Sequence, residues 1–313
     1  VTYAPDAMLA ETLKFMEENR NRPMFILFST NLPHGPVDIP PAENKYAGHP
    51  AIRQAYAGAA GGNRECAGAA EEYASMVDKL DRQVGAILAQ VHKLGLEKRT
   101  IIVFSSDNGH ELYYRTDKER GRGLNCHGGV LDGTGELLDV FRGSRGLIGQ
   151  KNAMVNLAGL KWTNHEGGIR VPLIVSWPGT VPHGKVCRSL VASYDHMATF
   201  AELAGVGMPE GKDSVSYKNM LFGKPSSQRD YVVVDHTVIT GDGWKLTHKQ
   251  DKWLLFQISS DPEERHNLAE TRKDQLERLQ AIYRKEAGSP RKDRQKPEQP
   301  RKTALFPPLA FAG

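Results

Sequence analysis

The sequence predicts an α/β fold in which a mostly parallel sheet is sandwiched by helices, with a small antiparallel sheet plus helix at the C-terminal end. Three observations predict it. Tyr73, Met76, Val77, Leu80, Val84, Ile87, Leu88 and Val91 recur at steps of three and four, the spacing of a helix with one apolar face. That helix leads through a short polar link into Ile101, Ile102, Val103 and Phe104, a continuous apolar run of the kind a parallel sheet buries on both faces. Beyond residue 230 the runs YVVVDH, WKLTHKQ and KWLLFQI follow one another across turn residues such as GDG, which is the rhythm of an antiparallel sheet.

The remaining elements follow in chain order. Met8, Leu9, Leu13 and Met16 predict a helix over 7–19, RNRP breaks it, and MFILFS at 24–29 reads as a short buried strand. Residues 31–65 are rich in Pro, Gly and Ala and read as loop. The central helix runs over 69–92, with Gly95 placed as its C-terminal cap. After the strand at 101–104 comes a glycine-rich excursion over 109–168, and VPLIVSWPG at 171–179 restores a strand. A helix at 195–205 precedes the three β-like runs, and a last helix spans about 272–287. The expected organisation is an α/β domain over 1–210, a small α+β subdomain over 211–290 and a tail over 291–313.

Composition bounds the function classes. The 313 residues carry 41 Lys plus Arg against 37 Asp plus Glu, a mild excess that gives no support for a nucleic-acid partner. Much of that excess sits in the Pro-containing basic stretch 284–302, which reads as solvated tail. Cys66, Cys126 and Cys187 are far apart and without CxxC spacing, so neither a disulfide framework nor a zinc site is indicated. No apolar run is long enough to span a bilayer, and no GxGxxG opens a helix after a strand, which argues against dinucleotide binding. The sequence opens at Val1 without a signal peptide, and the expectation is a piece of something longer.

Candidate chemistry gathers at strand ends, where ligands of open α/β sheets bind. Asp107 and Asn108 leave the apolar run 101–104 as two hard oxygen donors suited to Ca²⁺ or Mg²⁺, with Gly109 permitting a tight turn; an Asx-turn leaving the strand is the alternative. His34, in LPHGP, follows the run 24–29 in a loop stiffened by Pro33 and Pro36. It is either a surface histidine or one able to hydrogen-bond an anion and protonate a leaving group. Lys161 precedes Gly167 and Gly168 and is either solvated or a point charge for an anionic oxygen. Glu166 and Arg170 read as a pair fixing that turn. His110, Glu111, Tyr113, Tyr114, Arg115, His127 and His165 are the candidates for substrate choice.

The segments IIVFSSDNG, LKWTNHEGGIRVPLIVSWPG, FSTNLPHGP and YDHMATFAELAG together resemble signatures of the type I sulfatases, of the alkaline-phosphatase-like superfamily, from about residue 3 to about residue 270. The resemblance implies an alkaline-phosphatase-like fold and hydrolysis of a sulfate ester on a small molecule or glycan. It implies calcium, in preference to magnesium, held by Asp107 and Asn108, with His34 and Lys161 contacting the ester. It also implies a formylglycine made in a Cys/Ser-x-Pro/Ala-x-Arg motif, and no such motif occurs here. The first-strand aspartate pair and a GKWH-like segment of the family are absent as well, so the chain is expected to lack the N-terminal third and to be inactive alone. Its expected partners are then the substrate and either that N-terminal segment or a second copy, with a periplasmic or secreted location by resemblance. A phosphonate or phosphate ester hydrolase of the same superfamily, and a non-catalytic scaffold, are the rival readings.

Overall fold

The structure, a computed structural model, describes residues 2–35, 37–57, 64–109, 113–115, 125–127, 130–131, 137–138, 157–158, 161, 163–208, 210–224, 229–249 and 251–287. Helix α1 (Ala4–Asn19) opens the fold with Pro5 in its first turn, where the missing N–H costs no hydrogen bond. Helix α2 (Pro50–Ala57) interrupts the stretch expected to be loop, and α3 (Arg64–Lys93) is the central helix, starting earlier than its apolar repeat indicates. Alanines 67, 69 and 70 are buried on its first turns against Leu32, Val37, Ile39 and Ile52. Small side chains give no strong periodic signal, yet they allow the 32–39 loop to approach closely. Gly95, at φ +66, ends α3: Leu96 N–H reaches Val91 O at 3.0 Å and Gly95 N–H reaches His92 O at 2.9 Å.

The sheet departs from expectation. Strand β1 (Ile102–Ser105) pairs antiparallel with β6 (Leu173–Ser176), and every strand pair among the described residues is antiparallel. The expected parallel sheet is therefore not what these residues build. Residues 24–29 form no ladder among the described residues, and Phe25 and Leu27 stay 77% and 78% exposed. An apolar run supplies a strand's side chains, but a ladder needs a neighbour to take its N–H and C=O groups, and none of the described residues does so. Ser105 lies opposite Leu173, so the chain leaves β1 and re-enters β6 at the same end. Between them come two small hairpins, β2 (Tyr113–Arg115) with β3 (Asn125–His127) and β4 (Val130–Leu131) with β5 (Leu137–Leu138), and a single helical turn, α4 (Glu166–Ile169).

The C-terminal part begins with α5 (Asp195–Ala204) and the short α6 (Lys218–Leu221). Buried Asp195 accepts N–H groups from Ala192 and Val215, each at 2.8 Å, and both prongs of Arg229, at 3.0 and 2.5 Å. A carboxylate so fully matched explains why this position of the YDHMATF segment is acidic: it binds α5 to the chain on both sides. Strands β7 (Tyr231–Val234), β8 (Thr237–Thr240), β9 (Trp244–Lys249) and β10 (Lys252–Gln257) form a four-stranded meander, and α7 (Lys273–Ala287) covers one face. The TVIT strand, β8, is an addition to the three runs that the sequence suggests. Val238, Trp244, Leu246 and Leu255 meet Leu279 and Tyr283 in the core.

Leu279 is fully buried at the centre of this cluster. Its replacement by alanine is expected to cost about 2–5 kcal/mol, read as a lowered urea midpoint with an unchanged m-value.

Candidate functional site

His34 is exposed on a loop whose backbone is pinned. Leu32, Val37 and Ile39 enter the core on either side, His34 N–H donates to Asn31 O at 2.7 Å, and Leu32 N–H donates to the Thr30 hydroxyl at 3.3 Å. The Thr30 hydroxyl meets Gln83 of α3 at 3.5 Å, and the Gln83 amide donates to Pro5 O at 2.8 Å. The central helix thus fixes where the imidazole emerges.

The structure brings Lys161 to that imidazole: Nζ lies 2.8 Å from His34 Nε2. An ammonium only donates, so Nε2 is the acceptor and His34 is assigned as the neutral Nδ1–H tautomer. Its Nδ1 sits 2.5 Å from Gly35 O, which takes that proton's hydrogen bond.

Glycine contacts join the Asp107–Asn108 turn to the 167–168 segment. Gly109 N–H donates to Gly168 O at 2.8 Å, and a Cβ on Gly109 would stand 1.8 Å from the Gly167 carbonyl oxygen. Only glycine fits. Asp107 Oδ1 accepts Asn108 N–H at 2.9 Å, and the Asn108 amide donates to Gly109 O at 2.9 Å. These bonds orient both side chains and leave Asp107 Oδ2 and Asn108 Oδ1 accepting nothing among the described residues. Two hard, oriented oxygens fit a divalent cation chemically, although such ions take six or more. No group of three or more His, Cys, Asp or Glu suited to a metal is gathered among the described residues.

Beneath this surface lies an ion cluster. Lys245 and Glu264 are each 0% exposed, and Lys245 Nζ contacts Glu166 Oε1 at 3.1 Å and Glu264 Oε1 at 2.9 Å. Glu264 Oε1 also accepts the Glu166 backbone N–H at 2.8 Å, and its Oε2 lies 2.7 Å from His165 Nδ1. Arg170 reaches Glu166 at 3.5 Å, the pairing that the sequence suggests. His165, a candidate for substrate choice, is buried in this cluster rather than open to solvent. His110 and Glu111 lie outside the described residues; Tyr113, Tyr114 and Arg115 form β2, and His127 ends β3. Neither Lys245 nor Glu264 stands out in the sequence. The available signal is a lysine flanked by Trp244 and Leu246 in a strand: alternation sends it to the face opposite α7, and that face is covered by residues 165–166.

Two family models match the chain: the sulfatase model over residues 2–206, and the model of the C-terminal region of N-sulphoglucosamine sulphohydrolase over residues 161–287. The chain belongs to the sulfatase family. It is 26% identical over 226 residues to an N-acetylgalactosamine-6-O-sulfatase of Bacteroides thetaiotaomicron, covering 65% of this chain and 39% of that protein. It is 28% identical over 147 residues to an arylsulfatase of Klebsiella aerogenes, covering 43% of this chain and 29% of that protein. A sulfatase structure from a study of glycosaminoglycan metabolism in Bacteroides thetaiotaomicron superposes with a TM-score of 0.65 at 22% identity, covering 90% of this chain and 54% of that one. The alkaline-phosphatase-like sulfatase fold is thus shared, and this chain spans about half of that solved chain.

Burial pushes the Glu264 carboxyl up, but the His165 hydrogen bond and the Lys245 charge outweigh it and hold the group below the usual carboxylate range. A carboxylate depressed on folding stabilises the fold above its unfolded value and loses that contribution as pH falls through the folded one. Stability measured by urea unfolding is expected to fall as pH drops below 4.5, the ordinary value for this group. Glu264→Gln is expected to be less stable at neutral pH and to show a flatter profile in that acid window.

Proposed function

We infer that the chain supplies the ester-binding and metal-holding part of a sulfatase that cleaves a sulfate ester, with a sulfated sugar as the substrate class. The observation that carries this reading is the 2.8 Å contact between Lys161 and His34, residues far apart in sequence whose side chains converge on one exposed point. An ammonium and an oriented imidazole together suit a tetrahedral anion: Lys161 donates to an ester oxygen, and the imidazole is held by the Gly35 carbonyl with Nε2 facing the same position. Once protonated there, His34 can hand its proton to the departing alkoxide. Lys161 then stabilises the charge that develops on the transferred group. Family membership and the kinship to an N-acetylgalactosamine-6-O-sulfatase support the ester and sugar assignments.

Asp107 and Asn108 would hold calcium. The ion supplies charge neutralisation of the sulfate oxygens when bound. The protein's own part is to keep Asp107 Oδ2 and Asn108 Oδ1 oriented by the two 2.9 Å hydrogen bonds of the turn. Because the pair offers two donors, the chain by itself is expected to bind calcium with a Kd of about 1 mM or weaker. Isothermal titration checks this, and Asp107→Ala is expected to abolish the residual heat.

The rival reading is a non-catalytic scaffold that binds sulfate esters without turnover. Assay of the product of the complete reading frame separates the two. Turnover of 4-nitrophenyl sulfate, well above that of 4-nitrophenyl phosphate, is expected, with kcat/KM lowered about 100-fold or more in Lys161→Ala and in His34→Ala. A preference for the phosphate, or full activity in both variants, overturns the sulfatase reading; binding without turnover selects the scaffold.

A further inference from the structure

We propose that Lys245 is a positioning residue: with Glu264 it sets the placement of the Asp107–Asn108 turn relative to the Lys161–His34 pair. What the placed groups then do rests on the sulfate-ester reading above; the placement itself does not.

The linkage runs through named bonds. Lys245 joins the carboxylates of Glu166 and Glu264, and Glu264 also receives the Glu166 N–H and the His165 ring, so the start of α4 is held by side chain and backbone together. Two residues later in the same turn, Gly168 O accepts Gly109 N–H at 2.8 Å, which fixes the residue following Asn108. On the other side, Gly167 N–H donates to Ala158 O at 2.6 Å and Ala158 N–H to Pro262 O at 3.1 Å. Pro262 lies two residues before Glu264, and Ala158 three residues before Lys161. The segments that carry Lys161 and the Asp107–Asn108 turn are therefore tied to one buried cation, contributed by the C-terminal sheet.

The chemistry of the cluster favours this role over simple stabilisation. Desolvating an ammonium and two carboxylates costs several kcal/mol per ion, and well-packed apolar replacements of such clusters are often as stable or more so. What apolar groups cannot supply is direction. Glu264 Oε1 must meet both Nζ and a backbone N–H, and Oε2 must meet the His165 ring, so displacement of the 165–168 turn strains several bonds at once. Gly109 transmits that constraint, because its missing Cβ lets the two backbones touch.

The test uses the intact chain and the charge-neutral pair Lys245→Met/Glu264→Gln, with Glu264→Gln alone as the milder variant. Amide hydrogen exchange is followed at Gly109 and Gly167, with Leu255 and Leu279 as reference amides, and inorganic sulfate is titrated while the His34 ring resonances are monitored. Relative to the reference amides, protection at Gly109 and Gly167 is expected to fall about tenfold or more, and sulfate affinity to fall by about 10–100-fold, as for supporting residues of other ion sites. Exchange at Gly109 and Gly167 that changes only in step with Leu255 and Leu279, in either variant, overturns the proposal and leaves Lys245 a packing group. If the unaltered chain binds no sulfate, the ester reading fails, while the exchange comparison still decides the role of Lys245.

Discussion

One hydrogen bond, from Gly109 N–H to Gly168 O, is the contact on which the arrangement of the candidate site depends. It exists because β1 and β6 run antiparallel, so that the chain departs and returns at the same sheet end. Had the two strands run parallel, the return would fall at the opposite end, and Asp107 and Asn108 would face different chain. The contact also demands two bare backbones. Gly109 meets the Gly167 carbonyl at a distance no side chain tolerates, which gives the DNG and EGG segments one shared physical cause.

Under that contact the protein places charge where burial penalises it. Lys245 and Glu264 are shut from solvent, and Glu166 and His165 nearly so. The carboxyl of Glu264 remains depressed despite burial because the partners outweigh it. Energy spent on desolvation returns as orientation of a single helical turn. That turn faces the Gly109 backbone on one side and Ala158, close to Lys161, on the other. The C-terminal meander therefore does more than cap the chain: its β9 contributes the cation, and α7 completes the packing of β9 from the opposite face. The bonds cross residue 210, after which the sequence suggests a small C-terminal α+β subdomain.

Much of the site is legible in the residue order. His34 sits between prolines after an apolar run, Lys161 precedes a glycine pair, and Asp107–Asn108 terminates an apolar strand; each is a local pattern with a physical reason. Other features leave weak traces. The alanines at the start of α3 carry no periodic signal, so both that helix start and α2 read as loop. MFILFS has the composition of a strand, yet side chains alone cannot provide the neighbour that a ladder requires.

The sequence by itself determined the central helix and its glycine cap, three strands of the C-terminal meander and its helix, the sulfatase signatures and the residue types on which the proposed ester and metal binding rests. These follow from periodicity and from chemistry within a few positions. Tertiary structure alone decided the antiparallel sense of β1 and β6, the meeting of His34 with Lys161 across 127 residues and the burial of Lys245 against Glu166 across 79. Strand direction and the partner of a buried charge depend on which distant segment arrives at the other side, and no local pattern encodes that arrival.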